Sequence, residues 1–244
     1  MTHQDKLPFL LDDEVIFPDT EFALEKPNGL LAVGGNLSRK RLILAYQNGI
    51  FPWYSEPDPI LWWSPNPRAV LYLDDLKVSR SLAKSIRNRN FEVFLNKDFE
   101  DVMYQCAKSR EHQEGTWITD EMQAAYLDLH HIGFAHCISV YLDGKLVGGL
   151  YGISQGKFFF GESMFSKVSD ASKVALFHLV EFLKEYSFLM IDCQVPNPHL
   201  TSLGSRNIPR TEFTQQLEKW VDYPQSTNMW QQRYLSNGIE YGYE

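Results

Sequence analysis

Cysteine is scarce: the 244 residues hold three, Cys106, Cys137 and Cys193, in separate segments with no C-x-x-C pair. An odd, dispersed set excludes a disulfide framework and a structural zinc site, and it predicts reduced thiols in a cytoplasmic protein. Cys137 and Cys193 lie in apolar runs and are expected as small core residues. Long apolar runs are missing too. None approaches the ~18 residues of a membrane span, and the opening "MTHQDKLPFLLDDE" lacks the basic flank and apolar centre of a secretion signal. Positive charge is short: 23 Lys and Arg against 31 Asp and Glu leave a net charge of −8. General nucleic-acid coating needs a broad cationic surface, so only a local basic patch fits this balance. No repeat, low-complexity tract, Walker or dinucleotide glycine pattern, or HExxH motif occurs. The seven histidines read as surface or satisfied core residues.

What is present is a globular composition, 44% hydrophobic and 14% aromatic, able to bury a sizeable core. "GGNLS" (34–38) is a turn, with Ser38 placed to cap a helix "RKRLILAYQN" that Gly49 stops. Residues 49–71, with five prolines and three tryptophans, read as an aromatic-rich loop joining two domains, because proline excludes a helix or a central strand. Beyond it, "FEVFL" (91–95) reads as a strand, and helices follow at "KDFEDVMYQCAKSR" and, capped by Thr119, at "DEMQAAYLDLHH". The latter places Met122, Ala125, Tyr126 and Leu129 on one face. Asp143-Gly144 and Ser154-Gln155-Gly156 are hairpin turns that divide 135–166 into three antiparallel strands. A helix capped by Ser169 or Asp170 and a strand "FLMIDCQ" (188–194) complete an α+β domain around a mostly antiparallel sheet.

Four stretches carry chemistry. "GISQG" matches the G-x-S-x-G elbow, but a strand-like "KFFF" follows where a helix is required, so Ser154 reads as a turn residue. In "KVSRSLAKSIRNR" (77–89), helical spacing puts Lys77, Arg80, Lys84 and Arg87 on one arc, opposite Val78, Leu82 and Ile86. That arc is either a solvated face or a phosphate-contacting one. In "FLMIDCQ", strand alternation gives Asp192 and Gln194 one face at the C-terminal end, as a solvent face or as a polar pair at the mouth of an apolar cleft. "FFFGESMFS" (158–166) sets Glu162 among aromatic and aliphatic residues. An unpaired buried carboxylate costs several kcal/mol or holds its proton. Glu162 is therefore either paired with a buried Lys or Arg, or placed to bind a small cation such as the ammonium of a hydrophobic amino acid. Glycine inside a strand marks a bulge, so the strand is expected to bulge or bend at Gly161.

The words "PNGLLAVGGNLS", "AYQNGIFPWYSEPDPILWWSPNPRAVL", "EGTWIT", "LVGGLYGISQGKFFFGESMFS", "ASKVAL" and "IDCQVPNPHLTSLGS" together resemble the leucyl/phenylalanyl-tRNA–protein transferases, from residue 27 to about 205. The resemblance implies a small N-terminal domain (1–65) and a C-terminal domain (66–244) with the fold of GNAT, acyl-CoA N-acyltransferase-like, enzymes. It implies transfer of Leu or Phe, with Met a further candidate, from aminoacyl-tRNA to proteins with N-terminal Arg or Lys, marking them for N-degron degradation. A monomer without metal, cofactor or membrane contact is expected. Carried over, Glu162 would hold the α-amino group of the tRNA-borne residue. Phe159, Leu150 and Leu179 would line its side-chain pocket, Leu150 standing where some members have Met and Leu179 where some have Phe. Trp53 and Trp117 would pack around the aminoacyl-adenosine. Arg80, Lys84 and Arg87 would contact the tRNA backbone. Asp192 and Gln194 match the catalytic pair. A carboxamide is a very weak base, so Gln194 is expected to orient the attacking amine as an acceptor, with Asp192 fixing it and stabilising positive charge. Asp74 and Asp75 are candidates for reading the acceptor's basic residue. Two rivals stand beside this reading: an acetyl-CoA-dependent acyltransferase, which wants glycines where "SKVSDAS" stands, and a non-catalytic RNA- or sugar-binding module built on the tryptophans.

Overall fold

The computed structural model describes residues 7–109, 118–226 and 228–236. A small sheet contains β1 (Phe9–Leu11), β2 (Leu30–Gly34), β3 (Phe51–Pro52) and β4 (Leu61–Trp63), in spatial order β1-β2-β4-β3. Helix α1 (Arg39–Gln47) follows Ser38 and ends before Gly49. Residues 49–71 are thus not a plain loop. Pro52 sits on the edge strand β3, where a missing N–H costs no ladder bond, while β4 is proline-free and lies inside the sheet.

The large sheet takes β5 (Arg68–Tyr72), β6 (Glu92–Leu95), β7 (Ala135–Leu142), β8 (Lys145–Gln155), β9 (Phe158–Ser166), β10 (Met190–Gln194), β11 (Arg206–Ile208) and β12 (Arg233–Ser236). Their order is β11-β5-β10-β9-β8-β7-β6-β12, antiparallel throughout except between β9 and β10. The α+β class and the three antiparallel strands across 135–166 are as expected. Two details differ. The second hairpin turns at Gly156-Lys157, leaving Ser154 inside β8 with its hydroxyl on Gln225, and the strand at 188–194 begins at Met190.

Helices α2 (Arg80–Asn88) and α5 (Ala171–Glu185) pack on one face of this sheet, around Leu82, Ile86, Leu176, Leu179 and Phe159. Helices α3 (Phe99–Lys108), α4 (Asp120–His131) and α7 (Arg210–Trp220) cover the other, around Phe158 and Phe160, continuous with the core of the small sheet. A short α6 (Pro198–Ser202) follows β10, capped by the Asn197 carboxamide. Alternation along β9 is what sends Phe159 to one core and its two neighbours to the other.

Candidate active site

β9 and β10 pair only from Phe158↔Met190 to Phe160↔Asp192. Beyond that point both strands are irregular. Against β8, the β9 register slips between Tyr151↔Ser163 and Gly152↔Gly161, so Glu162 is the extra residue of a bulge beside Gly161. Against β5, the β10 register slips between Asp192↔Val70 and Gln194↔Ala69, and Gln194 adopts φ +65°. A cavity of about 210 Å³ opens where the strands lose contact, lined in part by Trp53, Leu150, Phe159, Glu162, Leu179 and Gln194. The bulge is what lets Phe159 and Glu162, three residues apart, border one space.

Glu162 is 7% exposed. Tyr46 of α1 donates to its Oε1 at 2.7 Å, Tyr126 of α4 to Oε2 at 3.1 Å, and Gln194 Nε2 to Oε1 at 2.8 Å. The two tyrosine hydroxyls also bond to each other. Burial pushes the Glu162 carboxyl up to about 7, against the pull of these three hydrogen bonds. With Glu162 ionised, two hydroxyl protons serve three oxygen–oxygen contacts, and one more proton closes the ring. Burial beside Glu162 holds both tyrosines well above the ordinary phenol range, so they stay donors.

The buried ion pair belongs to Asp192. Arg68, at the start of β5, donates from Nε to Asp192 Oδ1 at 2.8 Å and from Nη2 to Oδ2 at 2.6 Å. Its Nη1 donates to the Gly49 carbonyl at 2.9 Å, and its guanidinium lies between the rings of Phe51 and Phe213. Asp192 Oδ1 also accepts from the Gln194 backbone N–H at 2.9 Å, securing a left-handed conformation that non-glycine residues rarely adopt. The slip at Cys193 gives the two side chains different partners, the Asp192 carboxylate meeting Arg68 and the Gln194 carboxamide meeting Glu162, while both residues line the cavity. Arg68 thus matches the Asp192 charge, and the same carboxylate holds the Gln194 backbone. Cys193, expected in the core, is half-buried in the pocket wall.

Two family models match, "Leucyl/phenylalanyl-tRNA protein transferase N-terminal domain" over residues 35–66 and "Leucyl/phenylalanyl-tRNA protein transferase" over 70–218. The chain is 54% identical over 224 residues to the leucyl/phenylalanyl-tRNA–protein transferase of Nitrosospira multiformis, covering 92% of this chain and 96% of that one. It is 53% identical over 218 residues to that of Pseudomonas entomophila, covering 89% and 96%. The chain belongs to the leucyl/phenylalanyl-tRNA–protein transferase family. As in that family, its reaction is transfer of Leu or Phe from tRNA to proteins. Among solved structures it is similar to L-PGS from Bacillus licheniformis, at TM-score 0.38 and 11% identity over 68% of this chain and 53% of that one. It is also similar to a functionally unknown conserved protein from Staphylococcus epidermidis, at TM-score 0.42 and 8% identity over 74% and 68%.

For a leucyl/phenylalanyl transferase, the residues singled out from sequence fall into four groups. Glu162, Phe159, Leu150, Leu179, Trp53, Asp192 and Gln194 all border the one cavity, with Trp53 packed against Trp63 and 43% exposed at the mouth. Arg80, Lys84 and Arg87 stand exposed on α2, whose Leu82 and Ile86 are buried. Asp74 and Asp75 lie outside the cavity lining and pair with Lys184 and Arg206. Trp117 lies outside the described residues. Sequence reasoning missed Tyr46, Tyr126 and Arg68. In the sequence Tyr126 reads as part of an apolar helix face, and the signal for Arg68 is a cation heading the apolar run "AVL".

Proposed function

We propose that the cavity receives the leucine or phenylalanine esterified to the 3′ end of a tRNA and passes it to the α-amine of a protein beginning with Arg or Lys, Met being a further donor residue. The observation carrying this reading is the bulge that sets a buried carboxylate beside an apolar pocket. Glu162 takes the donor's ammonium, and Phe159, Leu150 and Leu179 enclose its side chain. A cavity of about 210 Å³ suits one amino-acid side chain, and lies below the roughly 300–1,000 Å³ of pockets for larger ligands. Trp53 and Trp117 flank the terminal adenosine, where stacking contributes about 1–3 kcal/mol per base.

The acceptor amine attacks the ester carbonyl, a C–N bond forms, and the C–O bond to the tRNA breaks. The tRNA hydroxyl leaves with the proton the amine gives up. Gln194 donates its amide hydrogen to Glu162, so its carbonyl oxygen is left to accept from the attacking amine. Asp192, clamped by Arg68, fixes the Gln194 backbone. Positioning of this kind supplies several kcal/mol for an already activated ester. The product enters N-degron degradation in the cytoplasm, and the domain boundary is placed near residue 65, between β4 and β5. Glu162→Ala is expected to abolish transfer from leucyl-tRNA to an Arg-initiated peptide while circular dichroism stays native. A folded variant with undiminished transfer would remove Glu162 from the pocket.

A further inference from the structure

The cavity and the cationic face of α2 are separate features, and the groups between them are specific. Lys173 stands one turn before the pocket residue Leu176 on α5, and positions three apart are neighbours on a helix surface. His199 lines the cavity from α6 and is exposed. Burial first, and then the Lys173 charge, hold the His199 imidazole below its ordinary range. On its other side Lys173 meets Asp170 at 3.1 Å, and Asp170 accepts from Ser85 of α2 at 2.7 Å. Arg89, just past α2, donates to the Ser169 carbonyl and adds its charge near Asp170. Lys173, Asp170 and Arg89 together thus carry one net positive charge, and Lys173 remains about a third exposed.

We propose that Lys173, together with His199 of the cavity lining, binds the phosphodiester preceding the terminal adenosine of the donor tRNA and joins the pocket to the cationic face of α2. The inference rests on the donor reading above. An aminoacyl group seated against Glu162 leaves its adenosine at the cavity mouth, and the first phosphate beyond it meets the rim. An ammonium and an imidazole N–H there supply point-charge and hydrogen-bond recognition of a phosphate oxygen without reading a base.

Two donors separate this from a packing role: leucyl-tRNA, and 2′(3′)-O-leucyl-adenosine, which has no phosphate. Lys173→Ala is expected to lower kcat/KM for leucyl-tRNA roughly tenfold, through KM, as loss of one charge-assisted contact does. The slope of log(kcat/KM) against log[salt] should become shallower by about 0.7, one single-strand phosphate contact. With leucyl-adenosine, kcat/KM should match the wild type. His199→Ala should lower kcat/KM for leucyl-tRNA by a smaller factor, and Lys173→Arg should retain transfer from leucyl-tRNA. An equal loss with both donors, no loss with leucyl-tRNA in a folded variant, or failure of Lys173→Arg to retain transfer would each overturn the proposal while leaving the donor reading intact. A wild-type protein that passes leucine from neither donor would overturn the donor reading and the proposal with it.

Discussion

Glu162 and Asp192 are both buried carboxylates, one held by neutral partners and the other by a charged one. Glu162 is met by two hydroxyls and a carboxamide, so burial wins and its carboxyl rises to about 7. Between the ordinary carboxylate value and pH 7 the folded state binds more protons than the unfolded chain. Stability should therefore fall as pH rises through that window, by roughly 2–4 kcal/mol, and urea denaturation of Glu162→Gln should show this dependence removed. Asp192 instead faces a guanidinium wedged between two rings. Arg68→Met strands that carboxylate and should cost about 3–5 kcal/mol in denaturation. Adding Asp192→Asn should recover part of the stability but not the transfer activity, because Gln194 loses its charged anchor.

At the scale of elements, the site is made by two strands that stop being regular at the same level. A bulge in β9 and another in β10 end the pairing between them, and the gap is the pocket. Gly152 lies opposite the first slip, where an added Cβ would sit 2.1 Å from the Phe160 carbonyl oxygen and 2.6 Å from the Phe159 ring. Gly152→Ala must push β8 and β9 apart. It is expected to cost about 1–3 kcal/mol and to lower transfer, since Phe159 and Glu162 both move; crystal structures of the variant would show the displaced bulge. The sequence signal for this, Gly161 beside Glu162, was readable; the matching bulge at Cys193 was not, because nothing in "IDCQ" sets it apart from a regular strand end.

Across the whole molecule, charge is divided by place. A net charge of −8 repels RNA in general, while the exposed cations of α2 offer one place where a backbone can settle. Arg80→Ala with Arg87→Ala should raise KM for leucyl-tRNA and flatten its salt dependence, with kcat held. Loss of kcat at constant KM would contradict a tRNA-facing role. The two sheets also meet at the site: Tyr46 reaches Glu162 from the helix of the small sheet, and Arg68 spans from β10 back to the Gly49 carbonyl beyond that helix. A pocket polarised by both parts needs both.

The amino-acid sequence alone determined the α+β class, the hairpins across 135–166, the Thr119 cap of α4 and the amphipathic cationic α2. These rest on local chemistry: turn residues, caps and periodicity act within a few positions along the chain. It also marked Glu162, because an acid in an aromatic run is improbable without a partner. Only the tertiary structure decided which partners those are. Tyr46, Tyr126 and Gln194 come from three other elements, separated by up to 116 residues in sequence, and the buried ion pair, one of the two alternatives for Glu162, forms at Asp192 instead. Hydrogen bonds across such separations depend on how helices and strands stack, which periodicity does not encode.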